Sequence, residues 1–530
     1  MKKVLLLLSL LILSTISTFA DDLLKKAKKS PLDCALYLLS VDRHRIDEEK
    51  LADAFFQVGR YDDTIRVTEI NDKGYSKFLT LSIFASKLIA KGDKLNAGKF
   101  VDKAFEDLKE NEDWYDDQIE IFVDDLIYLD RLDDLAELLD HQDKKNPEEK
   151  ASILLHAAKS FAKAGRTKES LAAADDAYEY YESNGDVIDL TALIEVNIKA
   201  KKYDKAMQML AKAEDRSLGS TDINRDGWIL QGIVPLYIQL GQTQKAMNIW
   251  RQHGNAGDGY DTYYGIQAFL KYENLTEAKP FLTEFQTNLG HSGDSLVKLY
   301  LKLDDIPGAL RISKMISDED DSYTQQKALM SVADRFIELG RSDSALEVVD
   351  LAFQKAARVG EQHEAHDSTS PLIRKRKYLT EIRERYLKLK RFDKVSNLPG
   401  AFKTRDDLIK PFIAHTFIAL AEAQSKTLSK KELGSLIAQA QKTFDGEDDK
   451  ESYHYWVVSD VINAYAIIGN KAKAMDLLTK TLNDAESDDN YYLDDLLIFT
   501  GQAFEKNNLK ATPELKKVLR EIIGEPVSKS

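Results

Sequence analysis

Apolar residues recur along this chain in amphipathic stretches of about a dozen residues, the spacing of helices that bury one face. The stretches repeat. Residues 52–62 read ADAFFQVGRYD, residues 333–343 read ADRFIELGRSD, and residues 158–166 read AKSFAKAGR. Each has an aromatic four residues before a glycine, and a small residue five positions after the glycine opens the next stretch. The glycine anchor recurs at Gly59, Gly92, Gly165, Gly241, Gly340 and Gly469. Asp130, Lys201, Glu273, Asp304, Lys390, Gln424 and Asn508 stand in the same place in weaker copies. Most successive anchors are 31 to 40 residues apart, the length of two helices and two short turns.

The periodicity predicts how each pair packs. Ala97, Ala206, Ala246, Ala278, Ala309, Ala345 and Ala474 sit five residues past an anchor, where the second helix crosses the first and only a small side chain admits close approach. Phe55, Phe161, Tyr237, Phe269, Tyr300, Phe336, Tyr386, Tyr465 and Phe504 precede the turns and are expected to fill the space beside the crossing. Ala104, Ala213 and Ala352 return to the same helical face seven residues on. A glycine at the turn takes the left-handed conformation that ends the first helix.

This combination of helix-pair length, small crossing residues and packed aromatics resembles the tetratricopeptide repeat family over nearly all of residues 40–525, with each unit degenerate. The early Trp is missing from most units and the closing Pro is absent. The resemblance implies an all-α fold, an α-solenoid or superhelix of about a dozen antiparallel helix-turn-helix repeats.

Length and composition fit that reading. A chain of 530 residues exceeds what one hydrophobic core serves. The first twenty residues differ from the rest: Lys2 and Lys3, an apolar run over 4–13 broken only by Ser9, then small residues to Ala20. That is the pattern of a secretory signal peptide, too short to span a bilayer. Its removal takes the formal charge from −15 to −17, a poor balance for nucleic-acid binding. Cys34 is the one cysteine, so no internal disulfide is available, and its apolar neighbours make it a small buried hydrophobe. The interval from Gly340 to Lys390 is longer than the others and carries the polar run 361–371. The expected organisation is a signal peptide over 1–20, an N-terminal solenoid over 21–358, a polar hinge over 359–371, and a C-terminal solenoid with its cap over 372–530.

Motifs that carry catalysis are missing: there is no phosphate-binding loop, nucleophile elbow, zinc helix or cysteine pair. His363 and His366, among Glu361, Glu364 and Asp367, have a metal-ligand spacing but read more simply as a solvated loop. Asp222, Asn224, Asp226 and Gly227 resemble half a calcium loop, with Ile233 where the twelfth-position acid belongs; Asp226 as a helix N-cap is the plainer reading. The acidic runs 318–321 and 447–449 suit solvated turns. No metal or cofactor is expected.

Two basic features remain. In the resembled family, positions six and two residues before the turn line the concave groove. On the first helices of the middle repeats they include Lys159, Lys163, Lys199, Lys271, Lys298 and Lys302, with Glu195 the one acid among them, a set suited to an anionic ligand. Lysines near helix C-termini are also favoured by the helix dipole alone. Asn463 is the only asparagine at the inner groove position, so the family's peptide-gripping Asn and Lys clamp is not evident. The second feature is a basic patch of Arg374, Lys375, Arg376, Lys377, Arg383 and Arg385, whose first four residues sit at a helix N-terminus where the dipole disfavours cations. It serves either to neutralise acidic turns or to bind an anion.

The function expected from the sequence is an exported, periplasmic or secreted, non-catalytic scaffold. It binds a protein or peptide of anionic character, without nucleic acid or a transmembrane segment in the mature chain. The alternatives are the substrate-positioning part of an envelope glycan-acting enzyme and a purely structural spacer.

Overall fold

A computed structural model describes residues 21–524, apart from 42–45, 71–73, 111–115, 144–145, 185–186, 220–226, 228, 254–259, 288, 318–321, 361–369, 404–408, 445–452 and 488–492. Residues 1–20, the calcium-like residues 222–226, the two acidic runs, and His363 with His366 fall outside these. The described residues form helices and turns with no strand. The architecture is all-α, a series of antiparallel helix hairpins of tetratricopeptide-like size.

The turn anchors explain why the hairpins form. Gly59, Gly92, Gly165, Gly241, Gly340 and Gly469 all have φ between 70° and 80°, and Asp130, Lys201, Glu273, Asp304, Lys390 and Asn508 have φ between 48° and 60°. Each of these twelve anchors therefore takes the left-handed conformation. Gln424 is the exception, ending its helix at φ −105°. At the first anchor Gly59 N–H donates to the Phe56 carbonyl and Arg60 N–H reaches back to the Phe55 carbonyl at 2.9 Å. This pair of bonds satisfies carbonyls that the helix end would otherwise leave without partners. The Arg60 guanidinium lies 4.5 Å from the centre of the Phe55 ring, and Arg166 covers Phe161 in the same way at 5.1 Å. The residue before each turn thus closes the helix through its carbonyl, and where it is aromatic its ring also fills the core; Leu88, Leu126 and Asn197 stand there before Gly92, Asp130 and Lys201.

The seven crossing alanines are completely buried, as are Ala104, Ala213 and Ala352, and all nine pre-turn aromatics are buried. Burial lifts the Cys34 thiol well above its usual range, with Asp33 adding to the shift, consistent with a packing role.

The helices group into two compact units, residues 113–391 and residues 1–112 with 392–530. In the first, the opening helices of successive hairpins pack side by side. Asp116–Tyr128 contacts Pro147–Lys163, which contacts Val187–Lys199; Tyr260–Tyr272 contacts Leu289–Lys302, then Ser322–Glu338, then Pro371–Lys388. A π-helical turn at Ile229–Ile233 leads into Val234–Gln239 and fills the middle of this row. Helices Ser342–Arg358 and Pro371–Lys388, which flank the expected hinge, pack on each other inside this unit.

In the second unit helix Pro31–Ser40 packs against Leu493–Lys506, which also packs against Glu48–Gln57. Ser30 Oγ donates to Glu505 at 2.9 Å. Arg60 Nη2 donates to Asp33 Oδ1 at 2.6 Å, and Lys50 pairs with Asp495 at 2.9 Å. Gly501 lies so close to Leu32 that an added Cβ would stand 2.7 Å from the Leu32 nitrogen.

Candidate functional site

The row of first helices in 113–391 carries every lysine that the sequence placed in a groove. Lys163, Lys199, Lys271, Lys298 and Lys302 are exposed and Lys159 is half-buried. Four of the six meet carboxylates. Lys163 Nζ lies 3.9 Å from Asp124, Lys298 is 3.1 Å from Asp294, and Lys302 is 3.1 Å from Glu273. Lys271 Nζ is 2.5 Å from Glu195, which also accepts from Tyr272 OH at 2.7 Å. Burial, then the Glu195 charge, holds the Tyr272 hydroxyl far above its usual range. Only Lys159 and Lys199 carry no ion pair among the described residues.

This face is charge-mixed. The position six residues before the turn, which holds Lys159 and Glu195, also holds Asp124 before Asp130 and Asp334 before Gly340, and Asp294 and Glu273 add further counter-charges. Asp334 holds Arg385 at 2.6 Å and Lys388 at 3.8 Å. Several of these pairs join one hairpin to another. The Lys271 to Glu195 pair reaches across the helix Val234–Gln239 that lies between their own, so the face is concave there. Exposed pairs of this kind contribute roughly 0–1 kcal/mol each, enough to set side-chain positions and little more.

The basic patch is divided by the fold. Lys375 is only 1% exposed, and its ammonium donates to the Ala357 carbonyl at 3.1 Å near the end of helix Ser342–Arg358. It is thus a buried group at a helix C-terminus and not a surface cation, which corrects its place in the patch. Its position, one turn into Pro371–Lys388 and against the preceding helix, leaves it facing inward. Arg376 is half-buried, and burial lowers its guanidinium below the usual range. Arg383 pairs with Glu384 at 3.0 Å, and Arg385 with Asp334. Lys377 lies 4.2 Å from the centre of the Tyr323 ring, opposite Lys327 at 4.0 Å. Burial raises the Tyr323 hydroxyl, but hydrogen bonds from Lys377 and Lys327 outweigh it and bring the group below its usual range. Arg374 pairs with no carboxylate among the described residues.

One constellation was not visible in the sequence. His156 stands between Glu120, 3.2 Å from Nδ1, and Asp124, 2.8 Å from Nε2. Ser160 donates to Asp124 as well. Burial alone would raise the Asp124 carboxyl, and the hydrogen bonds from His156 and Ser160 more than reverse that, lowering it. The three residue types are those of a nucleophilic triad, but the hydroxyl faces the carboxylate and not the imidazole. In such a triad the imidazole takes the hydroxyl proton, and here the hydroxyl is bonded to Asp124 instead. The cluster joins Asp116–Tyr128 to Pro147–Lys163. In the other unit, Asn463 Oδ1 accepts from Asn507 at 2.6 Å, so the one inner asparagine is occupied within the fold. Among the described residues no group of three or more His, Cys, Asp or Glu side chains is placed to hold a metal ion. None of the described helices is long and apolar enough to cross a membrane.

No protein-family model matches the chain. No curated protein matches its sequence. Among solved structures it is similar to Naa15/Naa10 bound to HypK-THB, with 14% identity, 90% of this chain and 84% of that one covered, and a TM-score of 0.28. It is similar to the pentatricopeptide repeat protein PPR10 from maize, with 12% identity, coverage of 92% and 93%, and a TM-score of 0.22. Ton1535 from Thermococcus onnurineus NA1 aligns at 13% identity over 77% of this chain and 97% of its own, with a TM-score of 0.24. What the geometry itself establishes is an all-α array of degenerate, tetratricopeptide-like helix hairpins.

Proposed function

We propose that this chain is an exported scaffold that binds a protein or peptide through the row of first helices in residues 113–391. The observation that carries the reading is the reach of Lys271 and Tyr272 to Glu195, two hairpins away. It makes the exposed face concave, and a concave face built on rigid helices presents many side chains at once to an extended partner. The mix of Lys and acid pairs suits recognition by a pattern of charges, with Lys159 and Lys199 the uncompensated cations that favour acidic positions on the partner. Export rests on residues 1–20. A mature N-terminus at Asp21 on protein from its native host supports it, and retention of Met1 contradicts it.

The binding surface is tested by capture from envelope extracts and mass spectrometry, followed by affinity measurement on the captured partner. Lys159→Glu with Lys199→Glu should weaken binding, and the wild-type interaction should weaken as salt shortens the Debye length from ~10 Å at 0.1 M to ~3 Å at 1 M. Undiminished affinity in the double variant places the partner on another surface.

A further inference from the structure

The junction of helices Ser322–Glu338, Ser342–Arg358 and Pro371–Lys388 borders a half-open cavity of about 260 Å³. It lies at the far end of the hairpin from the Gly340 turn. Its lining includes Lys355, Arg358, Arg374 and Gln326. Among the described residues that line it there is no carboxylate. Among the described residues Arg358 and Arg374 form no ion pair.

Among the described residues three buried polar groups here have no hydrogen-bond partner: Arg374 Nε, Gln326 Nε2, and the hydroxyl of Ser370, which precedes the lining residue Pro371. Gln326 is 3% exposed and Ser370 is fully buried. Buried donors without acceptors are costly and uncommon in folded proteins. Two such donors in one cavity wall, with the Arg358 guanidinium beside them, call for an acceptor that carries negative charge. Other features add to the positive potential. The N-termini of Ser322–Glu338 and Pro371–Lys388 bring their positive dipole ends to the junction, and the buried Lys375 ammonium bonds the carbonyl of Ala357, the residue after the lining Ala356. Ala356, Val359 and Tyr378 form an apolar wall. At roughly 30 Å³ per water-sized group, the cavity has room for an oxyanion and the short carbon chain that bears it.

We infer that this cavity binds a carboxylate carried on a short aliphatic chain, of the kind an acidic peptide presents, with Arg374 and Gln326 as the donors. The inference deepens the protein-binding reading and rests on it for the source of the carboxylate. The site itself can be tested without any partner. Calorimetric titration of the full chain uses glutarate as the probe, glutaramide as its neutral counterpart and inorganic phosphate as the competing anion. Glutarate should bind and glutaramide should not. Arg374→Gln and Gln326→Leu should each weaken glutarate by roughly tenfold or more, as expected for loss of a charge-assisted hydrogen bond. Arg358→Gln, at an exposed position that leaves the fold intact, should weaken it less. Lys388→Gln, further along the same helix, should leave it unchanged.

Equal binding of glutarate and glutaramide, or no loss in Arg374→Gln and Arg358→Gln, overturns the inference. Tighter binding of phosphate than of glutarate reassigns the site to a phosphoryl group and overturns it as stated. Glu361, Glu364 and Asp367 lie in sequence between Gly360 and Ser370. If glutarate binds only after all three are changed to their amides, the chain's own acids serve as the ligand and the inference also fails. None of these outcomes bears on whether the concave face binds a protein.

Discussion

The contact between Gly501 and Leu32 offers a test in which one substitution has opposite effects at two sites. Replacing a helical glycine by alanine normally stabilises a helix by about 1 kcal/mol. Gly434, in Lys430–Gln441, has nothing within 4 Å of the position a Cβ would take. Gly434→Ala should therefore gain up to that amount. At Gly501 the new Cβ would lie 2.7 Å from the Leu32 nitrogen and 2.8 Å from Leu32 Cγ. The first of these is backbone and cannot rotate away, and Leu32 is fully buried. Overpacking of this kind costs about 1–3 kcal/mol. It offsets or exceeds the propensity gain, so Gly501→Ala should be neutral to about 2 kcal/mol destabilising, and it should fall below Gly434→Ala by about 1–3 kcal/mol. Urea denaturation of both variants, followed by far-UV circular dichroism, reads the difference in the transition of the unit that contains both glycines. If Gly501→Ala is as stable as Gly434→Ala, helix Pro31–Ser40 does not pack on Leu493–Lys506 as described.

Three further outcomes follow from the same geometry. Lys201→Gly relieves a left-handed residue that costs about 1–2 kcal/mol, so it should raise the denaturation midpoint, while Gly165→Ala at an equivalent turn should lower it. Ala345→Leu, at a fully buried crossing, should destabilise by about 1–3 kcal/mol, and the exposed change Ser342→Ala should be nearly silent; equal midpoints contradict the crossing. Burial and the nearby Asp460 raise the Glu422 carboxyl above its usual range, against a smaller opposing effect of His415. A raised acid favours the protonated fold, so stability is lost as pH climbs from the ordinary carboxylate value through the raised one. Glu422→Gln should therefore be the more stable form at pH 7, with its advantage disappearing as the pH falls to about 4. A difference independent of pH contradicts this.

The hairpins were legible in the sequence because their determinants are local. A left-handed turn needs a residue that tolerates positive φ, an aromatic carbonyl five residues before the residue that follows it, and a small side chain five residues on. All three are readable within one repeat where Glu273 stands in for glycine, and at Lys201 the small Ala206 remains although Asn197 takes the aromatic's place. Gln424 was misread because its helix ends in a different turn, and nothing nearby in sequence marks the change. Contacts that join distant residues were not legible. Helix Pro31–Ser40 finds its partner more than 450 residues away, and no periodicity announces that. The lysines' helices follow from the sequence, but Asp124, Glu195 and Glu273, which meet Lys163, Lys271 and Lys302, belong to other hairpins. Lys375 reads as one base in a run of four, and only the position of the preceding helix buries it. The donors Gln326 and Ser370 resemble any polar residues near a helix start until the fold removes their partners.

The claim that the first-helix face of residues 113–391 holds a partner is tested most directly by site-specific photo-crosslinking in the native envelope. A photoreactive residue placed at Lys199 or Lys298 should give a specific crosslinked protein. The same residue at Lys168 or Gln208, exposed on the second helices Thr167–Asn184 and Tyr203–Gly219, should not. Crosslinks confined to Lys168 and Gln208 would contradict the account.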